Sequence, residues 1–203
     1  MLAKFKIIVI ALLFGGSALA DDYSSHSTVS MYRSSYQTYT FFSQTIEAGF
    51  GQLDIDAGKQ VSDWKSSHLR SEFGLETLKF FQLSAGFIKS DYGKKGEKTS
   101  VMDRQSLFGE LKLILAAPMM NIEVGTGAVA STMQVVTQQG DGNYGGSGTY
   151  YTASVSRFLN SRLSIFARGS QNDLHFVKDS GNFEGESIDI SDRTFGVGIK
   201  FYF

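Results

Sequence analysis

General-base chemistry in this sequence would depend on histidine. There are three, His26, His68 and His175, and there is no cysteine. A hydrolytic site would need one of them beside a nucleophile and an orienting acid, for which the candidates are Ser66, Ser67 and Asp173. Histidines in surface loops are the commoner case, so we predict a protein that is not an enzyme. The absence of cysteine excludes a disulfide framework, a thiol nucleophile and a cysteine-based metal site.

Two other motifs match ligand sites only in part. Asp54-x-Asp56-x-Gly58 has the spacing of the start of a calcium loop, but the third acidic position and the distal glutamate are missing. The run from Gly140 to Gly148 could cradle an anion, but no helix follows it, so we predict a flexible surface loop. Near this run, Tyr144, Tyr150 and Tyr151 are expected in an aromatic girdle. We therefore expect no metal and no cofactor.

Charged residues form the third group whose side chains could do chemistry. Nine of them lie in segments where apolar and polar side chains alternate, always on the polar side of the alternation: Glu47, Arg70, Glu72, Glu76, Glu110, Lys112, Glu123, Arg168 and Lys200. Both signs are present in near balance. Charges that are withdrawn from water must be paired or hydrogen-bonded, so we expect a ladder of bridges between the glutamates and the basic side chains.

The element that positions these side chains is the β-strand, most clearly at the end of the chain. In the segment Arg193–Phe203 one face is wholly apolar, and the other carries small or polar residues and Lys200. Side chains alternate between the two faces of a strand, so the pattern predicts a strand with one apolar face. The apolar face consists of Phe195, Val197, Ile199, Phe201 and Phe203.

Seven earlier segments repeat this alternation, which gives eight candidate strands, each close to the roughly 9–11 residues of a tilted membrane strand. The earlier segments are Ile46–Gly51, Leu69–Glu76, Phe81–Phe87, Leu107–Leu115, Ile122–Val129, Tyr151–Ser156 and Leu163–Arg168. Short and long connections alternate between them, as in outer-membrane barrels. The short ones are Leu78–Phe80, Ala117–Met120 and Phe158–Ser161, and the long ones are Gly58–Ser67, Asp91–Arg104, Gln134–Gly148 and Leu174–Ser191.

The N-terminus has the layout of a secretory signal peptide. Lys4 and Lys6 precede a short apolar run, and Ala18-Leu19-Ala20 is a small-x-small cleavage site. The run is shorter than the roughly 20 residues that a membrane helix needs. We therefore expect residues 1–20 to be removed, residues 21–43 to form an N-terminal periplasmic extension, and residues 44–203 to form one all-β domain. A net charge of −1 gives no reason to expect nucleic acid as a partner.

From Thr45 to Phe203 the pattern resembles the small outer-membrane β-barrel proteins of Gram-negative bacteria. This group contains the transmembrane domain of outer-membrane protein A and outer-membrane protein X. The most specific part is the terminal alternation from Phe195 to Phe203. In that family such an ending, with its terminal Phe, is the signal read by the barrel assembly machinery. The sequence departs from the lipid A deacylase barrels, because Phe176 and Val177, and no serine, follow His175.

The resemblance implies a closed antiparallel up-and-down transmembrane β-barrel in the outer membrane, with both termini periplasmic. It implies outer-membrane lipids, lipopolysaccharide and the assembly machinery as partners, and a monomer. An eight-stranded barrel is just wide enough to be filled by side chains, so we expect a plugged polar lumen and a structural or surface-interaction role. Two alternatives stay open, a narrow gated ion channel and an enzyme that modifies lipid A in the outer leaflet. A soluble lipocalin-like carrier would need the apolar faces to point inward.

Overall fold

The described parts of the chain consist of β-strands and the turns that join them. The computed structural model describes residues 41–56, 61–77, 80–94, 101–117, 120–137, 140–182 and 186–203. None of these residues belongs to a helix that could cross a bilayer. The strands are β1 (Phe41–Asp56), β2 (Val61–Thr77), β3 (Phe81–Lys94), β4 (Val101–Ala117), β5 (Met120–Thr137), β6 (Gly140–Asn160), β7 (Leu163–Gly181) and β8 (Ser187–Tyr202).

The eight strands form a closed barrel in sequence order. Each strand pairs antiparallel with its neighbours, and β1 closes the ring on β8 from Ser43↔Tyr202 to Asp56↔Asp189. Closure satisfies the backbone hydrogen bonds of every strand and leaves no free edge. The prediction of an all-β, antiparallel, up-and-down barrel of eight strands is confirmed.

The two ends of the barrel differ, and we name them by the chain. The proximal end holds the start of β1 and the end of β8, and the distal end holds the β1–β2, β3–β4, β5–β6 and β7–β8 connections. In the proximal half the outward side chains are apolar, as shown by Leu107, which is 66% exposed, and Phe73, which is 64% exposed. Such a belt would be costly in water and is expected against lipid.

In the distal half the two faces exchange their character. The strands have 14 to 21 residues, so they continue well past the roughly 9–11 residues that cross a bilayer. Beyond the apolar belt most outward residues are polar, such as Asp173 and His175 on β7, and most inward ones are apolar, such as Leu174 and Phe176. The distal interior is an apolar cluster that includes Leu53, Trp64, Ile88, Tyr92, Met102, Met133, Val135, Tyr144, Leu174, Phe176, Ile188 and Ile190.

This exchange overturns several sequence expectations. Most of the described residues in the four segments predicted as long loops are strand, and β6 already begins at Gly140, so the flexible Gly140–Gly148 loop is wrong. Tyr144 and Tyr150 point into the barrel and are fully buried, and only Tyr151 is exposed on the outside. β1 begins at Phe41, so residues 41–43 belong to the barrel and not to an extension. The signal peptide at residues 1–20 and the rest of the extension lie outside the described residues.

Candidate functional site: the filled barrel interior

Glu72 is the centre of a buried charge network in the proximal half. Its side chain on β2 is fully buried, and its Oε2 lies 3.0 Å from Arg70 Nη2 on the same strand and 2.9 Å from Arg168 Nη1 on β7. Its other oxygen accepts hydrogen bonds from Lys112 Nζ on β4 and, at 3.2 Å, from Gln82 Nε2 on β3. Side chains from four strands therefore meet at one carboxylate.

The network continues from Glu72 to a second carboxylate on β4. Glu110 Oε2 lies 2.8 Å from Arg70 Nη2 and 3.4 Å from Lys112 Nζ, and Glu110 also accepts a hydrogen bond from the Thr152 hydroxyl. Arg70 and Lys112 are thus shared between Glu72 and Glu110. Sharing of this kind offsets the cost of removing each charge from water, because every ion has more than one partner.

The network reaches the barrel wall on two further sides. Towards the proximal end, Lys200 Nζ lies 2.8 Å from Glu123 Oε1 and donates to Gln82 Oε1 at 2.6 Å. On the other side, Arg168 Nη1 lies 2.9 Å from Glu47 Oε2, and His68 Nε2 lies 3.1 Å from Glu47 Oε1. All eight strands therefore contribute a polar side chain to the network.

Aromatic rings lie on both the distal and the proximal side of the charged layer. Arg70 Cζ lies 4.1 Å from the centroid of the Phe108 ring, and Phe108 packs edge-on against Tyr150 with centroids 5.5 Å apart. On the proximal side, Lys200 Nζ lies 5.4 Å from the Tyr202 ring, which packs against Phe158. Cations over ring faces gain from the ring quadrupole, and the rings also exclude water from the ion pairs.

The structure places all nine charged residues singled out in the sequence inside the lumen, each at most 5% exposed. Sequence reasoning missed the neutral members His68, Gln82 and Thr152. Their signal was present, because Gln82 and Thr152 lie on the polar side of an alternating segment and His68 lies two residues before Arg70 on the same face of β2. His68 was expected at the surface, and that expectation is wrong, since it is 7% exposed and contacts Glu47.

A second buried polar cluster lies within the distal apolar interior, and two of its members, Tyr92 and Arg104, come from a segment predicted as a loop. Arg104 Nη2 on β4 lies 2.8 Å from Asp192 Oδ2 on β8, and Asp192 is fully buried. The same oxygen accepts hydrogen bonds from the Tyr92 hydroxyl at 3.0 Å and from Asn172 Nδ2 at 3.4 Å. This ion pair joins β4 to β8 across the barrel.

The other motifs form no catalytic or metal site in the described residues. His175 Nδ1 on the outer wall lies 2.6 Å from Asp189 Oδ1, while Ser191 donates its hydroxyl to Asp173 and not to the histidine. A nucleophile that is hydrogen-bonded to its base is therefore missing from this group. The backbones of Asp54 and Asp56 lie in β1, paired with β2 and β8, and Gly58 of the same motif lies outside the described residues. Among the side chains that the structure describes, no group of three or more His, Cys, Asp or Glu could hold a metal ion.

The predicted assembly motif forms one face of β8. Phe195, Val197 and Ile199 point outward with Phe201 and Phe203, and Phe203 is 75% exposed. The backbone N–H of Phe203 donates to the carbonyl of Phe42 at 2.9 Å, so the last residue is fixed beside the first strand. The apolar face of the motif is thus part of the proximal belt.

Solved structures with the same architecture identify the fold. Neisserial surface protein A matches with a TM-score of 0.57 at 10% identity, over 81% of this chain and 99% of that chain. The attachment invasion locus protein Ail of Yersinia pestis, solved with the heparin analogue sucrose octasulfate, matches with a TM-score of 0.51 at 12% identity, over 80% and 99%. This chain has the fold of the small outer-membrane β-barrels.

The likeness to these outer-membrane barrels is one of structure. No protein-family model matches the sequence, and no curated protein does. At 10% and 12% identity the matches show the fold alone. The function of this barrel therefore has to follow from its own interior and its own surface.

Proposed function

We propose that this protein is a closed, non-catalytic integral barrel of the outer membrane, with a structural or surface-contact role. The observation that carries the proposal is the filling of the lumen at two levels, by the network around Glu72 and by the distal apolar cluster. Side chains from many strands form both fillings. The closure of the lumen therefore does not depend on the position of any single loop. A barrel of this strand number has room for side chains but not for an open channel as well.

The proposed orientation rests on the apolar belt and on the sequence patterns at the two ends of the chain. The proximal apolar belt lies in the bilayer with both termini in the periplasm, and the distal half projects outside the cell. The signal peptide predicted from the sequence of residues 1–20 supports export, and the terminal motif ending at Phe203 supports recognition by the barrel assembly machinery. The belt faces membrane lipids and lipopolysaccharide, and the barrel acts as a monomer.

Solute flux tests the proposal. Liposomes that contain the refolded protein should swell in an arabinose solution no faster than protein-free liposomes, because side chains fill the lumen at two levels. A 16-stranded porin serves as the positive control, since such barrels leave an aqueous channel. Swelling of porin-like rate would overturn the closed barrel.

A narrow gated ion path is the second candidate, and one observation favours it. Arg70 Nη2 lies 3.0 Å from Glu72 and 2.8 Å from Glu110, so it could exchange one carboxylate for the other. A third candidate, modification of lipid A, would use His175 as a base oriented by Asp189 at 2.6 Å on the outer wall, although the nearby Ser191 hydroxyl donates to Asp173. Lipid A from cells with and without the gene should give identical mass spectra if the non-catalytic proposal holds, and a mass difference would favour the enzyme.

A further inference from the structure

A groove of about 300 Å³ crosses the outer wall of the distal half. Its side-chain lining comes from β4, β5 and β6 and from the end of β7: Asp103, Gln105, Thr132, Gln134, Asn143 and Asp179. Met133 and Tyr144, whose side chains point inward, also border it. The groove begins one outward position beyond Leu107 of the apolar belt, so it opens sideways just above the membrane.

The local backbone explains why the wall is concave here. Gly145 lies on the outer face between Asn143 and Ser147 and contributes no side chain. The β6–β7 pairing shifts its register between Asn143 and Tyr144, and Asp179 is the extra residue on β7. An added Cβ on Gly145 would lie 3.0 Å from Asp179 Oδ2, so the Asp179 carboxylate leans over the bare backbone. A bulge that re-aims a side chain beside a glycine is a recurrent way to shape a binding surface.

The lining has the chemistry of a site for hydroxyl groups. Three amides, one hydroxyl and two carboxylates offer donors and acceptors in several directions. Asp103 Oδ1 is shielded from solvent and has no hydrogen-bond partner among the described residues, although its Oδ2 lies 3.5 Å from Lys89 Nζ. A buried acceptor of this kind is costly until a ligand or a water donates to it. Two carboxylates without a lining cation disfavour phosphate and sulfate groups.

We propose that this groove binds uncharged sugar residues in the saccharide chain of a neighbouring outer-leaflet glycolipid. The inference goes beyond the closed-barrel function and uses only the membrane orientation given for it. A groove that opens sideways above the belt faces the sugars that surround the barrel, not molecules that approach from above. Because these sugars are held in the same membrane, their effective concentration at the groove is on the order of millimolar, so weak hydrogen-bonded contacts suffice.

Native mass spectrometry of the refolded protein in bicelles tests the proposal. The probes are lipopolysaccharide with a complete core and deep-rough lipopolysaccharide that keeps only the innermost, acidic sugars. The wild type should retain the complete-core form at least tenfold better than the deep-rough form, and free core oligosaccharide should displace it. The double variant Gln134→Ala/Asn143→Ala should lose this preference. Gln171→Ala, an amide on the outer face of β7 outside the groove, should keep it.

Each contrary outcome has a distinct meaning. Equal retention of both glycolipids by the wild type would show recognition of lipid or phosphate, and would overturn the sugar site. Retention that is abolished by EDTA in all variants alike would show cation bridging, and would overturn it as well. Heat-modifiable gel mobility must be intact in both variants, and if the double variant fails this check, Thr132→Val and Asp103→Asn replace it. None of these outcomes for the groove bears on the closed-barrel proposal, because the liposome-swelling assay tests the lumen separately.

Discussion

Arg168 Nη1 lies 2.9 Å from Glu72 Oε2 across the lumen, although 96 residues separate the two in sequence. Their strands, β7 and β2, are not neighbours in the barrel. The contact therefore exists only when the ring is closed. Because Arg70 and Lys112 hold the same carboxylate, Glu72 fixes the arrangement of three buried cations at once.

Removal of this carboxylate should destabilise the barrel strongly. Glu72→Ala leaves Arg70, Lys112 and Arg168 with less compensation, so we expect the free energy of unfolding to fall by about 3–5 kcal/mol. Glu72→Gln keeps two polar atoms and should cost less. Urea titration in detergent micelles, read by heat-modifiable mobility, measures both. Asp91→Ala removes an exposed carboxylate 3.8 Å from Lys89 and should change stability by at most about 0.5 kcal/mol. If Glu72→Ala resembles Asp91→Ala, the network contributes little to stability.

The distal ion pair allows a sharper test, because it lies in apolar surroundings. Asp192→Ala leaves the Arg104 guanidinium buried without its carboxylate and should cost about 3–5 kcal/mol. The double variant Arg104→Met/Asp192→Leu removes both charges and should regain most of this loss, since apolar replacements of buried ion pairs are often neutral or better. Urea midpoints of the wild type, Arg104→Met, Asp192→Leu and the double variant complete the cycle. Losses that simply add would mean that the two side chains act independently.

Trp64 reports on the exchange of faces, because it is the single tryptophan of the chain and is 4% exposed within the distal interior. Its emission should be blue-shifted and should resist quenching both by aqueous iodide and by brominated acyl chains. The matched control is Phe50→Trp in a Trp64→Phe background, since Phe50 lies on the outer face of β1 beside Phe195. That variant should be quenched by brominated lipid. Strong lipid quenching of Trp64 itself would place the distal half inside the bilayer.

The sequence predicts the barrel well in its proximal half for a simple physical reason. There, lipid outside and packed charge inside produce an alternation with apolar residues outward, as in Leu111 and Leu113 against Glu110 and Lys112. In the distal half, water lies outside and apolar side chains pack inside. The alternation therefore continues with the opposite phase, and a search for the outward apolar phase ends the strands too early.

The same effect explains which parts of the interior were missed. The proximal charges were identifiable because each lies on the polar side of an alternation that was already recognised. Arg104 lay in a segment assigned to a loop and Asp192 lay just before the predicted last strand, so no alternation indicated their pairing across the barrel. The groove depends on a register shift beside Gly145, which no local sequence pattern specifies.

The terminal motif gives a prediction about assembly that is separate from stability. Phe203→Asp should reduce the folded protein in outer-membrane fractions at least severalfold, because the terminal aromatic is proposed as part of the assembly signal. Phe203 is 75% exposed and holds its place through its backbone N–H, so refolding of the purified variant in detergent should be nearly unchanged. Phe42→Asp, an exposed apolar residue of the neighbouring strand, is the control for loss of belt hydrophobicity alone. Equal loss in both variants would argue against a specific signal at the terminus.

Single-channel recording in planar bilayers tests the filled lumen most directly. The wild-type protein should show no discrete conductance steps in molar salt, because the network around Glu72 and the distal apolar cluster both fill the lumen. Discrete openings of the wild type that disappear in Glu110→Ala or Arg168→Ala would contradict the plug. They would show that the network around Glu72 is the gate of an ion path.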